Sequence, residues 1–296
     1  MRVLGVGYCT LDQIAVVDRF AEPDFKVEMA KFSVQGGGTA ATAIALLARW
    51  GIETSFAGKV GDDARATQIA KTLSNEGVDT AAMVHEAGAI SQLTFIVVEE
   101  GTGRKQTYFT QGNVSDLRAD EIDLNLLDGV DLLLVDDRYP LAQIGLVQAA
   151  RERGIPVVLE VNRMAPGVAE LVGVCDYLVA SERFATQFTG MGQLGSMCRS
   201  LLERGPKSVV VTLGDEGSVA LAKGQERLLR QSAYEVEVVD TTGAGDVFLG
   251  AFVYGILQGW ELSRQVGVAN IAAGLCCKDV GGRGAIATLA QIEALL

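Results

Sequence analysis

The feature that most constrains this chain is a rhythm: apolar runs of four to six residues alternate with longer stretches of helical spacing. The runs lie at 3–7, 54–57, 132–135, 157–161, 177–180 and 208–213. They are apolar at consecutive positions, so both faces of each strand need cover. Between them, 39–50, 64–76, 141–153, 182–189 and 194–203 place apolar side chains at helical intervals. This alternation predicts an α/β fold, a mainly parallel sheet sandwiched by helices. Residues 207–239 instead hold short strand patterns punctuated by Gly214, Gly217 and Gly224, which predicts antiparallel hairpins at one sheet edge. Two helices are expected after them, at about 245–258 and 262–277.

Two segments break the rhythm. Residues 13–34 and 91–110 alternate apolar and polar side chains, the second around a Gly101-Thr102-Gly103 turn. They read as antiparallel strands of a small β-sheet lid over a body made of 1–12, 35–90 and 111–296. Such a sheet has one apolar face to cover, with substrate or a second subunit. The alternative is a simple extension of the main sheet.

Composition removes several function classes. The 296 residues carry a formal charge of −12, against a large nucleic-acid surface. Small phosphates stay accessible, because backbone N–H groups can hold them. His85 is the only histidine, which argues against a Ser-His-Asp triad or a multi-histidine zinc site. Cys9, Cys175, Cys198, Cys276 and Cys277 lack any C-x-x-C spacing and read as reduced thiols. No apolar run approaches the ~18 residues of a membrane span. Residues 1–10 read as a first strand and not a leader, so a soluble cytoplasmic protein is expected.

The sharpest chemical signal is Asp240-Thr241-Thr242-Gly243-Ala244-Gly245-Asp246, between a strand pattern and a nearly all-apolar helix. Gly243 and Gly245 permit a tight turn with N–H groups pointing outward at a helix N-terminus, a site for a phosphoryl group. Asp246, in the same turn, can accept a hydroxyl proton. Phosphoryl transfer depends on positioning and charge more than on a strong base, so the pairing is coherent. The plainer alternative is that the threonines and Asp246 only cap the helix. Gly36-Gly37-Gly38 leads into a helix of small residues and allows close approach of a ligand or another backbone. No G-x-x-x-x-G-K-[ST] is present, which excludes a P-loop, and Gly5-Val6-Gly7 lacks the third glycine of a dinucleotide fingerprint. Arg138 either contacts an anionic or polyhydroxy ligand or pairs with Asp136 or Asp137. Lys59 reads as a solvated partner of Asp62 and Asp63 rather than a ligand contact, and His85 as a loop residue.

Residues 240–246 with Val247-Phe248 resemble the C-terminal signature of the ribokinase (PfkB-type) carbohydrate kinases. Gly37-Gly38-Thr39-Ala40-Ala41-Thr42, running to Arg49-Trp50-Gly51, resembles their N-terminal signature. Gly58-Lys59-Val60-Gly61-Asp62-Asp63 and Val211-Thr212-Leu213-Gly214 with Gly217 match in family order. The resemblance spans essentially the whole chain. It implies a sugar kinase using ATP and Mg²⁺, with a monovalent cation as a further option. Asp246 corresponds to the catalytic base, and Gly243, Ala244 and Gly245 to the anion hole. Thr212, Gly214 and Gly217, with Asn270, Ala273, Gly274 and Cys277, fall at nucleotide-binding positions. Asp12, Gly37, Gly38, Thr42 and Arg138 fall at substrate positions, and lid-to-lid pairing implies a homodimer.

Two departures stand out. Thr42 replaces the signature's usual asparagine, and Ser181-Glu182-Arg183-Phe184 replaces N-x-x-E, leaving Glu182 a water-mediated metal contact or a residue of a helix cap. Residues 36–43, Asp137-Arg138-Tyr139 and Gly281-Gly282-Arg283 are similar to the sulfofructose kinase branch. Leu159-Glu160-Val161 and Val179-Ala180-Ser181 are similar to ketohexokinase. Both point to a ketose, although Tyr108 stands where sulfosugar enzymes place a polar contact, and a primary hydroxyl of a furanose or ketose is the expected acceptor. Phe95, Tyr108 and Phe109 keep a nucleoside kinase open, and a non-catalytic sensor is the third option.

Overall fold

The computed structural model describes residues 1–296. The chain begins with β1 (Arg2–Val6), β2 (Thr10–Val17) and β3 (Met29–Gly37), then α1 (Thr39–Arg49). β4 (Glu53–Ala57), β5 (Lys59–Gly61), α2 (Ala64–Ser74) and β6 (Val84–Glu86) follow, then β7 (Leu93–Glu99) and β8 (Lys105–Thr110). Next come β9 (Leu132–Asp136), α3 (Pro140–Glu152), β10 (Val157–Val161), α4 (Val168–Val174) and β11 (Tyr177–Ser181). α5 (Glu182–Thr189), α6 (Leu194–Leu202), β12 (Ser208–Thr212), β13 (Ser218–Ala222) and β14 (Leu229–Gln231) complete the sheet. α7 (Ala244–Leu257), α8 (Leu262–Cys276) and α9 (Leu289–Glu293) end the chain.

The main sheet has eight strands in the order β14-β13-β12-β11-β10-β9-β1-β4. It is parallel from β12 to β4 and antiparallel at the β13–β14 edge. Alternation within each strand feeds two cores. Leu132, Leu134 and Val210 face the layer of α1, α7 and α8; Leu133, Val135, Val209 and Val211 face α3 to α6. That double burial is why these strands are apolar on both faces, with polar residues mostly at their ends and in β4. No helix is long and apolar enough to cross a membrane.

The lid is a separate four-stranded sheet, β3-β2-β7-β8. Its inner face packs Ile14, Val16, Ile96 and Val98 against Val280. Its strands reach further than 13–34: β2 starts at Thr10 and β3 ends at Gly37, so Asp12, Gly36 and Gly37 stand on lid strands. The β2–β7 pairing is parallel, not antiparallel as the alternation suggested. Residues 168–174 form α4, which the strand-like VAELVGV composition concealed.

Lys59 contradicts its expected solvation. It is 1 % exposed, and its Nζ bonds Ser115 Oγ at 2.9 Å and Glu121 at 2.9 and 3.0 Å, with Glu86 at 3.4 Å. Asp62 and Asp63 are occupied elsewhere, with Asp63 capping α2. His85 lies in β6, where its Nδ1 meets the Gly61 carbonyl at 3.3 Å. The five cysteines are buried and unpaired.

Candidate active site

The turn before α7 is built around Asp240. Its buried carboxylate accepts the Thr242 N–H at 2.9 Å, the Thr242 hydroxyl at 2.7 Å and the Gly281 N–H at 2.9 Å. Gly243 has φ 77°, and a Cβ there would collide with the Gly282 Cα, so only glycine fits. No side chain caps α7, and the N–H groups of Gly245 and Asp246 have no protein partner. Gly245 is exposed, with open space where a side chain would stand. Unpaired amides at the positive end of a helix form an anion site. The capping alternative is therefore not what the turn does. Lys105 reaches over from the lid, 3.2 Å from both the Thr241 and Thr242 hydroxyls.

Asp246 is half-buried and hydrogen-bonded by the Thr39 side chain, facing Asp12, Arg283 and Lys105. Burial pushes its carboxyl up to about 6. Asp12 is likewise pushed up to about 6 by burial, against a hydrogen bond from Thr94, and its Oδ1 has no partner. Its carboxyl occupies the place where a Gly37 side chain would be. Gly38, at φ 95°, starts α1 without a side-chain cap. Thr42, expected to touch substrate, is buried, and its hydroxyl accepts from Arg283 Nε at 3.4 Å.

Asp136, missed as a site residue, ties three elements together. It accepts N–H bonds from Tyr8 at 2.8 Å, Ala40 at 3.2 Å and Arg138 at 3.0 Å. Burial pushes it up to about 6. A carboxylate closing an apolar parallel strand was the available signal, because ligands meet such sheets at strand C-termini.

A cleft of about 360 Å³ opens between body and lid, lined by Thr39, Asp136, Thr94, Phe109, Arg138 and Arg163 among others. The Arg138 side chain does not pair with Asp136 or Asp137. Its Nη2 donates to Gln111 at 3.1 Å and meets Asp116 at 3.5 Å, and its plane lies 5.1 and 5.3 Å from the Tyr8 and Tyr139 rings. Its Nε is buried and unpartnered. Arg163, also missed, takes Asp137 at 3.2 Å. Glu160 is buried beside Asn162, and burial with Asp137 and Asp246 nearby holds its carboxyl well above the usual range.

The remaining expected residues gather along the β12 end and α8. Thr212 ends β12 and donates to the Ala180 carbonyl at 3.4 Å; Gly214 (φ 64°) and Gly217 (φ 92°) shape the following turn. Asn270 faces inward, its amide donating to Ser218 Oγ and the Val266 carbonyl, both at 2.8 Å, and so tying α8 to the sheet. Ala273 and Gly274 are half-buried, with Gly274 against the Tyr234 backbone, and the Cys277 thiol bonds the Ala273 carbonyl at 3.3 Å. Glu182 is exposed in the first turn of α5, while Ser181 alone caps that helix. Ser181 is the ladder neighbour of Thr212, which sets Glu182 beside that strand end.

The sequence matches the profile of the pfkB family carbohydrate kinases over residues 2–289. It is 29% identical over 308 residues to the ribokinase of Staphylococcus aureus, covering 99% of this chain and 98% of that protein. It is 26% identical over 294 residues to a 5-dehydro-2-deoxygluconokinase of Geobacillus kaustophilus, covering 90% and 86%. The ribokinase of Arabidopsis thaliana, solved with ribose and ATP, superposes with a TM-score of 0.83 at 25% identity, covering 99% and 97%.

Proposed function

The chain belongs to the pfkB family of carbohydrate kinases, and from that premise we propose that it moves the γ-phosphoryl group of ATP to a primary hydroxyl of a ketose. The observation that carries this reading is a carboxylate and unpartnered amides sharing one helix turn, joined to the cleft wall through Thr39. Asp246 takes the proton of the attacking hydroxyl, oriented by the Thr39 side chain. The free amides of Gly243 and Gly245 receive the migrating group, flanking Ala244, whose own N–H meets the Thr241 carbonyl at 3.4 Å, and Lys105 adds positive charge from the lid. Asp12, with a free buried oxygen, accepts a second hydroxyl. Arg138 and Arg163 line the cleft, where two guanidinium groups suit a polyhydroxy or anionic end.

The nucleotide is read along Thr212, Gly214, Gly217 and the Ala273–Gly274–Cys277 face of α8. No cluster of three or more acidic, histidine or cysteine side chains suited to a metal is present, and Glu182 is a single exposed carboxylate. That donor set fits Mg²⁺, which keeps several waters and leans on substrate phosphates. Magnesium would supply charge neutralisation on those phosphates. A second copy of the chain covers the outer lid face, where Phe32, Val34 and Tyr108 are all about half exposed or more.

The test is an ADP-release panel of ribose, fructose, sulfofructose, 2-keto-3-deoxygluconate and adenosine. A ketose is expected to turn over fastest. Adenosine as the best acceptor would replace the sugar reading, with Phe109 at the cleft as the base platform. Asp246→Asn is expected to lower kcat by about 10²–10⁴-fold while calorimetry still shows ATP binding. A variant within tenfold of wild type would remove Asp246 from its role.

A further inference from the structure

Only two basic side chains are buried in this protein, and Lys59 has carboxylates in direct contact whereas Arg283 has none. Arg283 is 5 % exposed, on the loop after α8. Its Nε meets Thr42 Oγ1 at 3.4 Å, its Nη1 meets Thr72 Oγ1 at 3.3 Å, and its N–H meets Gln35 Oε1 at 3.2 Å. All three partners are neutral. Burying a cation without a contacting anion is costly, so its neighbours at longer range deserve a cause.

Those neighbours are Asp12, Glu76, Asp246 and the Cys9 thiol. Glu76 is already held by Arg49 at 2.6 Å, and the Cys9 thiol is pushed up to about 12 by burial, so it stays neutral. What remains is the pair of acids in the sugar site. The backbone explains how they share a space: a Cβ on Gly36 would strike the Arg283 guanidinium, and one on Gly37 would strike the Asp12 carboxyl. Consecutive strand residues point to opposite faces. β3 therefore carries the cation on one face and the anion on the other, separated by bare backbone. Gly282, next to Arg283, packs on Gly243, the residue from which α7 and Asp246 start.

We propose that Arg283 is a positioning residue of the transfer, the fixed positive charge that keeps Asp12 and Asp246 ionised together, so that one binds the sugar while the other receives its proton. This rests on the kinase reading above. Without such a charge the two carboxylates disfavour each other's ionisation. The groups facing Asp246 are Asp12 from β2, Thr39 from α1, Lys105 from β8, Glu160 from β10 and Cys276 from α8. Those facing Asp12 are Tyr8 after β1, Thr94 from β7 and Asp240 from the turn before α7. Apart from Arg283, Lys105 is the one cation among them; it is exposed at the lid, where water screens it. Thr42, whose hydroxyl holds Arg283, thus serves the guanidinium in the place where the family signature usually carries asparagine.

The test compares pH profiles of kcat/KM for the fastest panel sugar in wild type, Arg283→Gln and Arg283→Lys, with ATP binding by calorimetry as the check on folding. Losing the cation raises the carboxyl pKa values, so the acid limb of R283Q should move up by about one pH unit, a further loss of about ten- to a hundredfold at a fixed pH on that limb. R283K should keep the limb in place while KM for the sugar rises, because the charge stays and the fork is lost. A uniform drop in kcat for R283Q with an unmoved limb overturns the proposal and makes Arg283 a structural brace. If R283Q does not fold, R283K decides: a limb that shifts by a full unit despite the retained charge overturns it. Wild type inert toward every acceptor would instead defeat the kinase reading and this proposal with it.

Discussion

Replacing Lys59 by methionine keeps the stem of the side chain and deletes its charge. Lys59 Nζ bonds both oxygens of Glu121 at 2.9 and 3.0 Å and Ser115 Oγ at 2.9 Å, at a site that is 1 % exposed. Breaking a buried pair by removing one partner costs about 3–5 kcal/mol, chiefly through the stranded charge. Here the strand is incomplete. Glu121 keeps the Arg118 N–H at 2.8 Å and its guanidinium at 3.6 Å, and Glu86 keeps two bonds from Ser115 at 2.8 Å each. The loss should therefore fall at the low end, about 3 kcal/mol, a large share of the roughly 5–15 kcal/mol that holds a domain folded. Equilibrium urea unfolding followed by circular dichroism reads this as a lower midpoint with an unchanged slope. The double variant K59M/E121Q should recover more than half of the loss, because the carboxylate bonded through both oxygens is then neutral and only Glu86, still held by Ser115, has lost its cation. A cost below about 1 kcal/mol, or a double variant as damaged as the two singles summed, would show that the cluster behaves as a surface pair and that the inference from burial is mistaken.

Gly243→Ala puts a side chain at φ 77° and against Gly282, so melting temperature and kcat should both fall; Gly245→Ala meets no neighbour and should melt like wild type while losing turnover. Equal behaviour of the two would discount the packing described for the turn. With Asp12 and Asp246 both pushed up to about 6 and both needed ionised, kcat/KM should drop by up to roughly a hundredfold per unit below pH 6. Unfolding would not be the cause: the stability from the raised acids Asp12, Asp136 and Asp246 is fully present below their ordinary pKa and is lost as pH rises through about 6. The lowered acids Asp63, Glu86 and Glu121 lose theirs only beneath the usual carboxylate range. A circular dichroism signal that collapses together with activity at pH 5 would contradict this. Phe32→Glu on the outer lid face should convert a dimer to a monomer in light scattering, and a wild-type monomer at micromolar concentration would rule the dimer out.

Much of this architecture is written locally. The six parallel strands announce themselves because burial on both faces leaves them mostly apolar, and residues 240–246 do so because the turn sets glycine at φ 77° between two carboxylates. Local pattern fails where partners are distant. Lys59 looks solvated beside Asp62 and Asp63, yet Glu121 lies 62 residues on. Strand direction in the lid follows connectivity, which alternation does not carry, and α4 is masked by valines that favour strands. Arg163 lines the cleft only because β10 delivers it there, and Arg283 meets Thr42 only because the loop after α8 folds back on α1.

The bond from Arg283 to Thr42 spans a separation of 241 residues. Closing so long a loop costs entropy that only the packing of everything between its ends offsets. The glycine turn leans on the same loop, since Asp240 accepts the Gly281 N–H and Gly243 packs on Gly282. A single docked segment thus sets both the turn and the guanidinium behind it, so loosening that segment would disturb the two together.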